Sequence, residues 1–281
     1  MPADCDLFVL RHGRSLANEA SIIVSSPENG VKPEYALAPA GKAQAALAGR
    51  LLAATVLAAG ADADAADAGR DDEVVAHFYA SPFSRTVETA AIAADAFEQA
   101  LLEISPPSAA STATSSCRVV ARLAGAPRPE PALRERWFGR ALELQNHEGY
   151  SPAWASDAQD PCSRPPGEGD GESVAEVAAR SAELLRRLAA ERAGDGGEAA
   201  AGGRRREVIV LVSHGDTLSI LRTAATGGDL REHRKLGLGT AELKRVGPLA
   251  EAAQRATAVA AEAAAAGAAQ RWRRRAETRT S

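Results

Sequence analysis

Two histidines stand where they can do chemistry. The apolar run Leu7-Phe8-Val9-Leu10 ends in Arg11-His12-Gly13, and Val208-Ile209-Val210-Leu211-Val212 ends in Ser213-His214-Gly215-Asp216. The chain has five histidines, and two that close strand-like runs and precede a glycine form a pattern. Such runs read as buried strands, and strand ends of an open α/β sheet are where ligand crevices form. A phosphate monoester is attacked only when cations surround its oxygens, a nucleophile lies in line, and an acid protonates the departing oxygen. A neutral imidazole nitrogen is a nucleophile for phosphorus. Arginine forks donate paired hydrogen bonds to phosphate oxygens, so Arg11, Arg85 and His214 are candidates to surround a dianion. Gly13 and Gly215 let backbone approach closely without a Cβ.

The elements that must position these residues are visible in the pattern. Val74–Tyr79 is β-branched and aromatic, a second strand. Ser81-Pro82 after it reads as an N-cap and first helical position, and the following helix carries Val87, Ala90, Ala91, Ala94 and Phe97 at helical spacing, placing Arg85 above a sheet edge. Ser15–Tyr35 reads as loop or short helix and Gly41–Val56 as helix. Ser173-Val-Ala-Glu176 fits a capping box opening a helix with Val174, Val177, Ser181, Leu184, Leu185 and Leu188 on one face. A helix over about Thr217–Ala225, an edge strand over Thr240–Val246 and an alanine-rich helix over about Leu249–Gln270 follow. Strands alternating with helices predict an α/β domain with a largely parallel sheet. The expected organisation is one domain over 1–248, with low-complexity inserts near 60–72, 105–118 and 193–206, and a tail over 249–281 ending in Arg271-Trp-Arg-Arg-Arg275. Of the other histidines, His77 is expected to pack mid-strand, and His147 and His233 to lie exposed in polar loops.

At 281 residues and a net charge of −4 there is an ample core and no global basic field, so nucleic acid is not an expected partner. No run approaches the length needed to span a bilayer, and nothing before the first strand resembles a targeting peptide. A cytoplasmic protein without membrane association is expected. Cys5, Cys117 and Cys162 are odd in number and lack metal spacing, which reads as reduced thiols. No ligand cluster calls for a metal, and no cofactor is expected. The oligomeric state is not encoded in any motif.

Arg11-His12-Gly13, Ser81-Pro82-Phe83-Ser84-Arg85-Thr86 and Ser213-His214-Gly215-Asp216 resemble the histidine phosphatase superfamily. Pro131-Ala-Leu-Arg-Glu135-Arg-Trp-Phe-Gly139, Gly171-Glu172-Ser173 and Leu37-Ala-Pro-Ala-Gly41 with Gln44-Ala45 are similar to further segments of that family, in the same order, across about residues 6–246. Leu16-Ala-Asn18-Glu19, Glu28-Asn29-Gly30 and Thr240-Ala-Glu-Leu243 look most like the plant and green-algal phosphoglycerate mutase-like proteins. The resemblance implies a three-layer α/β/α sandwich of the phosphoglycerate mutase-like type with a mostly parallel central sheet. It implies His12 as the phosphorylated nucleophile, His214 facing it across the pocket, and Glu135 as proton donor. It also implies Arg11, Asn18, Arg85 and Gly215 at the phosphate.

Three functions are compatible with that resemblance: a phosphatase acting on a small phosphorylated substrate, a phosphoglycerate mutase-type transferase, and an idle binding scaffold. The mutase branch uses a mid-chain arginine pair to hold a carboxylate, and none lies between Arg140 and Arg164. Asp216 stands where the compared mutases carry asparagine, and Arg14 where a glutamate is frequent. Hydrolysis is therefore the expected activity, with specificity drawn from Ser21–Tyr35 and Arg140–Arg164. A retired scaffold would have lost Arg11, His12 or His214, and all three remain.

Overall fold

The alternation of side chains along three strands builds both faces of the core. In strand β1 (Asp4–Arg11), Leu7 and Val9 pack to one side while Phe8 and Leu10 pack to the other. Strand β5 (Arg204–Ser213) divides the same way, with Ile209 and Leu211 opposed to Val208, Val210 and Val212. This is the period-two signature of a sheet covered on both sides. The computed structural model describes residues 4–61, 72–104, 119–194 and 204–280. Most of the three expected inserts lies outside the described residues.

In chain order the other elements are α1 (Leu16–Glu19), α2 (Pro27–Gly30), α3 (Pro39–Ala61), β2 (Asp72–Ala80), α4 (Ser84–Ile104), β3 (Val119–Leu123), β4 (Arg128–Pro129), α5 (Tyr150–Asp157), α6 (Val174–Gly194), α7 (Gly215–Ala225), β6 (Leu243–Pro248) and α8 (Leu249–Thr280). The sheet runs β3-β2-β5-β1-β6, with the short β4 also on β2. All pairs are parallel except β1 with the edge strand β6. Helices α3 and α4 cover one face, and α6, α7 and α8 the other, the three-layer mixed α/β fold expected. Among the described residues no helix is long and apolar enough to cross a membrane.

The capping box is formed: Glu176 N donates to Ser173 Oγ, and Ser173 N to the Glu176 carboxylate. The apolar face read for that helix, Val174 to Leu188, is buried throughout. On α4 the buried face differs in part from the expected one. The buried stripe is Ala90, Ala93, Ala94, Phe97 and Ala100, whereas Val87 and Ala91 face outward. The helix begins at Ser84, two residues after Pro82. The helix read as a tail lies against the core through Leu249, Ala252, Ala253, Ala256 and Ala263, on α6 and α7.

Gly13 is required by what lies behind it. A Cβ there would stand 2.4 Å from the carbonyl oxygen of Gly41, and one on Gly41 would stand 2.1 Å from that of Arg14. Both obstacles are backbone, so α3 would have to shift away from the β1 turn. Gly13→Ala is expected to cost about 1–3 kcal/mol through overpacking, measured as a lowered denaturation midpoint; unchanged stability would show that α3 yields freely.

Candidate active site

Sheet register brings distant residues together. Arg11 pairs with Ser213 across β1 and β5, so His12 and His214 leave neighbouring strand ends side by side. His12 N donates to the Ser213 carbonyl at 2.9 Å, and the two imidazole rings meet edge to face with centroids 5.3 Å apart. On the other flank of β5, Ala80 pairs with Val212, which delivers Ser81 and then Arg85. The Ser81 hydroxyl is 2.8 Å from His214 Nε2 and also accepts from Phe83 N at 3.4 Å.

His12 is held in one tautomer. Its Nδ1 lies 2.7 Å from the Gly13 carbonyl, a pure acceptor, so Nδ1 carries the proton. Nε2 then presents a lone pair, and Arg85 Nε donates to it at 3.3 Å. Burial, then the charges of Arg85 and Arg11, hold the imidazole well below its ordinary range. A neutral imidazole with Nε2 exposed to an arginine is the form that can attack phosphorus.

The arginines have capacity left over. Arg85 Nη2 donates to the Val24 carbonyl at 2.9 Å and Arg11 Nη1 to the Leu238 carbonyl at 2.6 Å. Arg85 Nη1 and Arg11 Nε are buried with no hydrogen-bond partner. Buried donors without acceptors are costly, and an anion among them would relieve that cost. Gly215 sits against this group: a Cβ there would lie 3.3 Å from the Arg11 guanidinium carbon. Its value is thus room for an arginine, where close passage of backbone was expected.

Glu135 lies next to His214 and lines the same cavity as His12. Its Oε1 accepts from Arg136 N at 3.0 Å and from the Thr217 hydroxyl at 3.2 Å, while Oε2 lies 4.0 Å from His214 Nδ1. Burial, then the charge of Asp216, raise this carboxyl above its ordinary range against the opposing pull of Arg85 and Arg11. An acid pushed up beside a base pushed down is the pairing that general acid–base chemistry uses.

A cavity of about 550 Å³ joins Arg11, His12, Asn18, Arg85, Glu135 and Gly215 to a second wall of Ile22, Val24, His147, Tyr150, Trp154, Asp216 and Arg234. His214 does not line it. The ring is fully buried behind His12, with Nδ1 unpartnered, rather than facing it across an open pocket. Asn18 Oδ1 accepts from Ser15 N in a capping box, which leaves the amide NH₂ as its free donor. The two stretches expected to shape specificity do reach the cavity, through Ile22 and Val24 and through His147, Tyr150 and Trp154.

Two histidine expectations fail. His233 is fully buried, 3.1 Å from the Ser219 hydroxyl, and His147 is half-buried at the cavity wall, its Nε2 2.9 Å from the Ile22 carbonyl. Arg136 is fully buried; its guanidinium reaches Asp157 at 2.6 and 2.8 Å and Asp216 at 3.1 Å. Asp157, Asp216 and His233 place ligand atoms within 4.8 Å of one another, and the cation among them is this guanidinium. Neither Arg136 nor Arg234 carries a local signal, because their partners lie 80 and 18 residues away at Asp216.

The fold matches solved structures. These include mycobacterial glucosyl-3-phosphoglycerate phosphatase in complex with VO₃, at TM-score 0.51 and 22% identity, covering 85% of this chain and 90% of that one. A second, a mycobacterial hydrolase, matches at TM-score 0.52 and 22% identity, covering 85% and 87%. At such identity the likeness concerns the fold. No curated protein matches the sequence significantly. The sequence model described as histidine phosphatase superfamily (branch 1) matches residues 107–262, a stretch that includes Glu135 and His214 and follows Arg11, His12 and Arg85. Since that match spans more than half of its length, the chain belongs to the histidine phosphatase superfamily.

Proposed function

We propose that the chain is a phosphomonoester hydrolase that works through a phosphohistidine on His12 and needs no cofactor. The observation that carries this reading is that Arg85 Nε donates to the lone pair of His12 Nε2 in a cavity also lined by Arg11, while Arg11 Nε and Arg85 Nη1 are buried without partners. Nε2 attacks phosphorus, the ester P–O bond breaks, and the Glu135 proton passes to the departing oxygen. Glu135, now ionised, takes a proton from water as its oxygen attacks phosphorus. The P–N bond breaks, releasing phosphate and restoring neutral His12 and protonated Glu135. Asn18 and Gly215 complete the phosphate seat, and His214 stabilises charge from behind His12.

Hydrolysis of p-nitrophenyl phosphate, measured as released phosphate, tests this reading. Turnover is expected to survive EDTA, because every group invoked belongs to the chain; no turnover by the folded protein would overturn it. Losing one preorganised donor at such a site costs about 3 kcal/mol. Arg85→Ala is therefore expected to lower kcat roughly 100-fold or more, and a loss below tenfold would remove Arg85 from the phosphate seat.

The mutase reading keeps one supporting observation. No arginine pair comes from 140–164, yet Arg234 brings a cation to the same cavity from another segment. Conversion of 3-phosphoglycerate to its 2-isomer without release of phosphate would favour that reading. Within the family, placement among the plant and green-algal phosphoglycerate mutase-like proteins rests on Asn18-Glu19, Glu28-Asn29-Gly30 and Thr240–Leu243.

A further inference from the structure

The cavity is far larger than a phosphoryl group, and its second wall contains a cation that the proposed chemistry does not use. Arg234 lies on a 3-10 helix, Leu230–Leu236, pinned by its buried neighbour His233. Its guanidinium carbon stands 3.7 Å from the centroid of the Trp154 ring, and Trp154 is itself stacked on Tyr150 at 5.0 Å. The Trp154 indole N–H donates to Asp216 Oδ1 at 3.2 Å, and Arg234 Nη1 reaches the same oxygen at 3.3 Å. Stacking fixes the plane of the guanidinium while leaving its edge N–H groups available.

That placement is informative for two reasons. Asp216 only partly offsets Arg234, because its other oxygen is engaged by fully buried Arg136 at 3.1 Å. The Arg234 side chain remains 42% exposed although it is held, so ordering has been invested in a group that still faces the cavity. Arg11 lines the same cavity. Burial first, and the like charge of Arg234 in smaller part, lower the Arg11 guanidinium. Two cations kept facing one cavity are stabilised when anionic groups enter it.

We propose that Arg234, locked on Trp154, is a specificity-determining residue that selects phosphomonoesters bearing a second anionic group, a carboxylate or a second phosphate. This rests on the hydrolase reading: the ester phosphate sits at Arg11 and Arg85, and the second anion meets the Arg234 edge, with Tyr150 and Ile22 walling the linker between them.

The test is a set of matched substrates, read as kcat/KM for phosphate release. 3-Phosphoglycerate against glycerol 3-phosphate differs by one carboxylate. Propane-1,3-diol bisphosphate against 3-hydroxypropyl phosphate differs by one phosphate, so the two pairs distinguish the sources of the second anion. The native protein is expected to favour the doubly anionic member of at least one pair by about 10- to 100-fold, the worth of a charged hydrogen bond. Arg234→Met is expected to bring that ratio close to one, and Arg234→Lys, which keeps the charge and loses the stacked fork, to keep only part of it. A merely structural Arg234 would lower both members of each pair alike and leave the ratio intact, which overturns the proposal. A native ratio near one in both pairs also overturns it, while p-nitrophenyl phosphate turnover would leave the hydrolase reading standing. No release from any substrate, the aryl phosphate included, would instead remove the hydrolase reading and this inference with it.

Discussion

Substituting alanine for His12 is expected to lower kcat on any phosphomonoester by on the order of 10⁴-fold or more, the scale seen when a covalent nucleophile is removed. The expectation follows from the geometry. Nε2 is unprotonated because Nδ1 is committed to the Gly13 carbonyl, whereas the Nε2 of His147, the other imidazole described in the cavity lining, lies against the Ile22 carbonyl. His214 is the nearest alternative, but its Nε2 is engaged by the Ser81 hydroxyl and its ring lies outside the cavity lining. The decisive readout is covalent. Native protein quenched during turnover should retain an acid-labile phosphoryl label, and His12→Ala should retain none. Circular dichroism checks that the variant remains folded. Labelled His12→Ala, or turnover within tenfold of native, would assign the nucleophile elsewhere.

The second large effect belongs to Glu135→Gln, and it should depend on the leaving group. An alkyl alkoxide needs a proton as it departs, so an alkyl phosphate should lose about 10²–10⁴-fold in kcat/KM, the usual contribution of general acid catalysis. p-Nitrophenolate is a stable anion and departs without one, so the aryl ester should lose much less in that step. The variant also lacks the base that activates water, so aryl phosphate turnover should show a burst followed by a slow, phosphoenzyme-limited rate.

The pH profile supplies the sign. His12 must be neutral, and burial together with Arg85 and Arg11 places its titration well below 6.5, so the acid limb lies low. Glu135 must be protonated for the first step. Burial and Asp216 raise it above 4.5, so activity falls as pH rises through that raised value. Glu135→Gln should flatten the alkaline limb and leave the acid limb in place. Equal losses across leaving groups with an unchanged alkaline limb would assign the proton donor to another residue.

Local chemistry fixed a good deal of this in advance. Period-two apolar runs define β1, β2 and β5, and a strand that ends in histidine and glycine must present both at the sheet edge, because the pleat alternates and the turn needs room. The capping box at Ser173–Glu176 starts α6 where the pattern places it, since both of its hydrogen bonds close within four residues. Arg11, His12, Arg85, Glu135, Gly215 and Asn18 were identified from short motifs, and the fold brings all six to one cavity.

What folding added came from contacts without a local signature. Ser81 precedes the helix as a cap would, and its hydroxyl also meets His214 from the end of a neighbouring strand. Nothing in the sequence around Arg136 marks it, and two aspartates from α5 and α7 make it a buried cation. His233 looked exposed, and its burial between Asp157 and Ser219 anchors the turn that carries Arg234 to Trp154. A strand or a cap is encoded within one or two turns of chain because its hydrogen bonds and side-chain period are local. A buried ion pair draws its partners from different elements, and only the packing of those elements determines which charges meet.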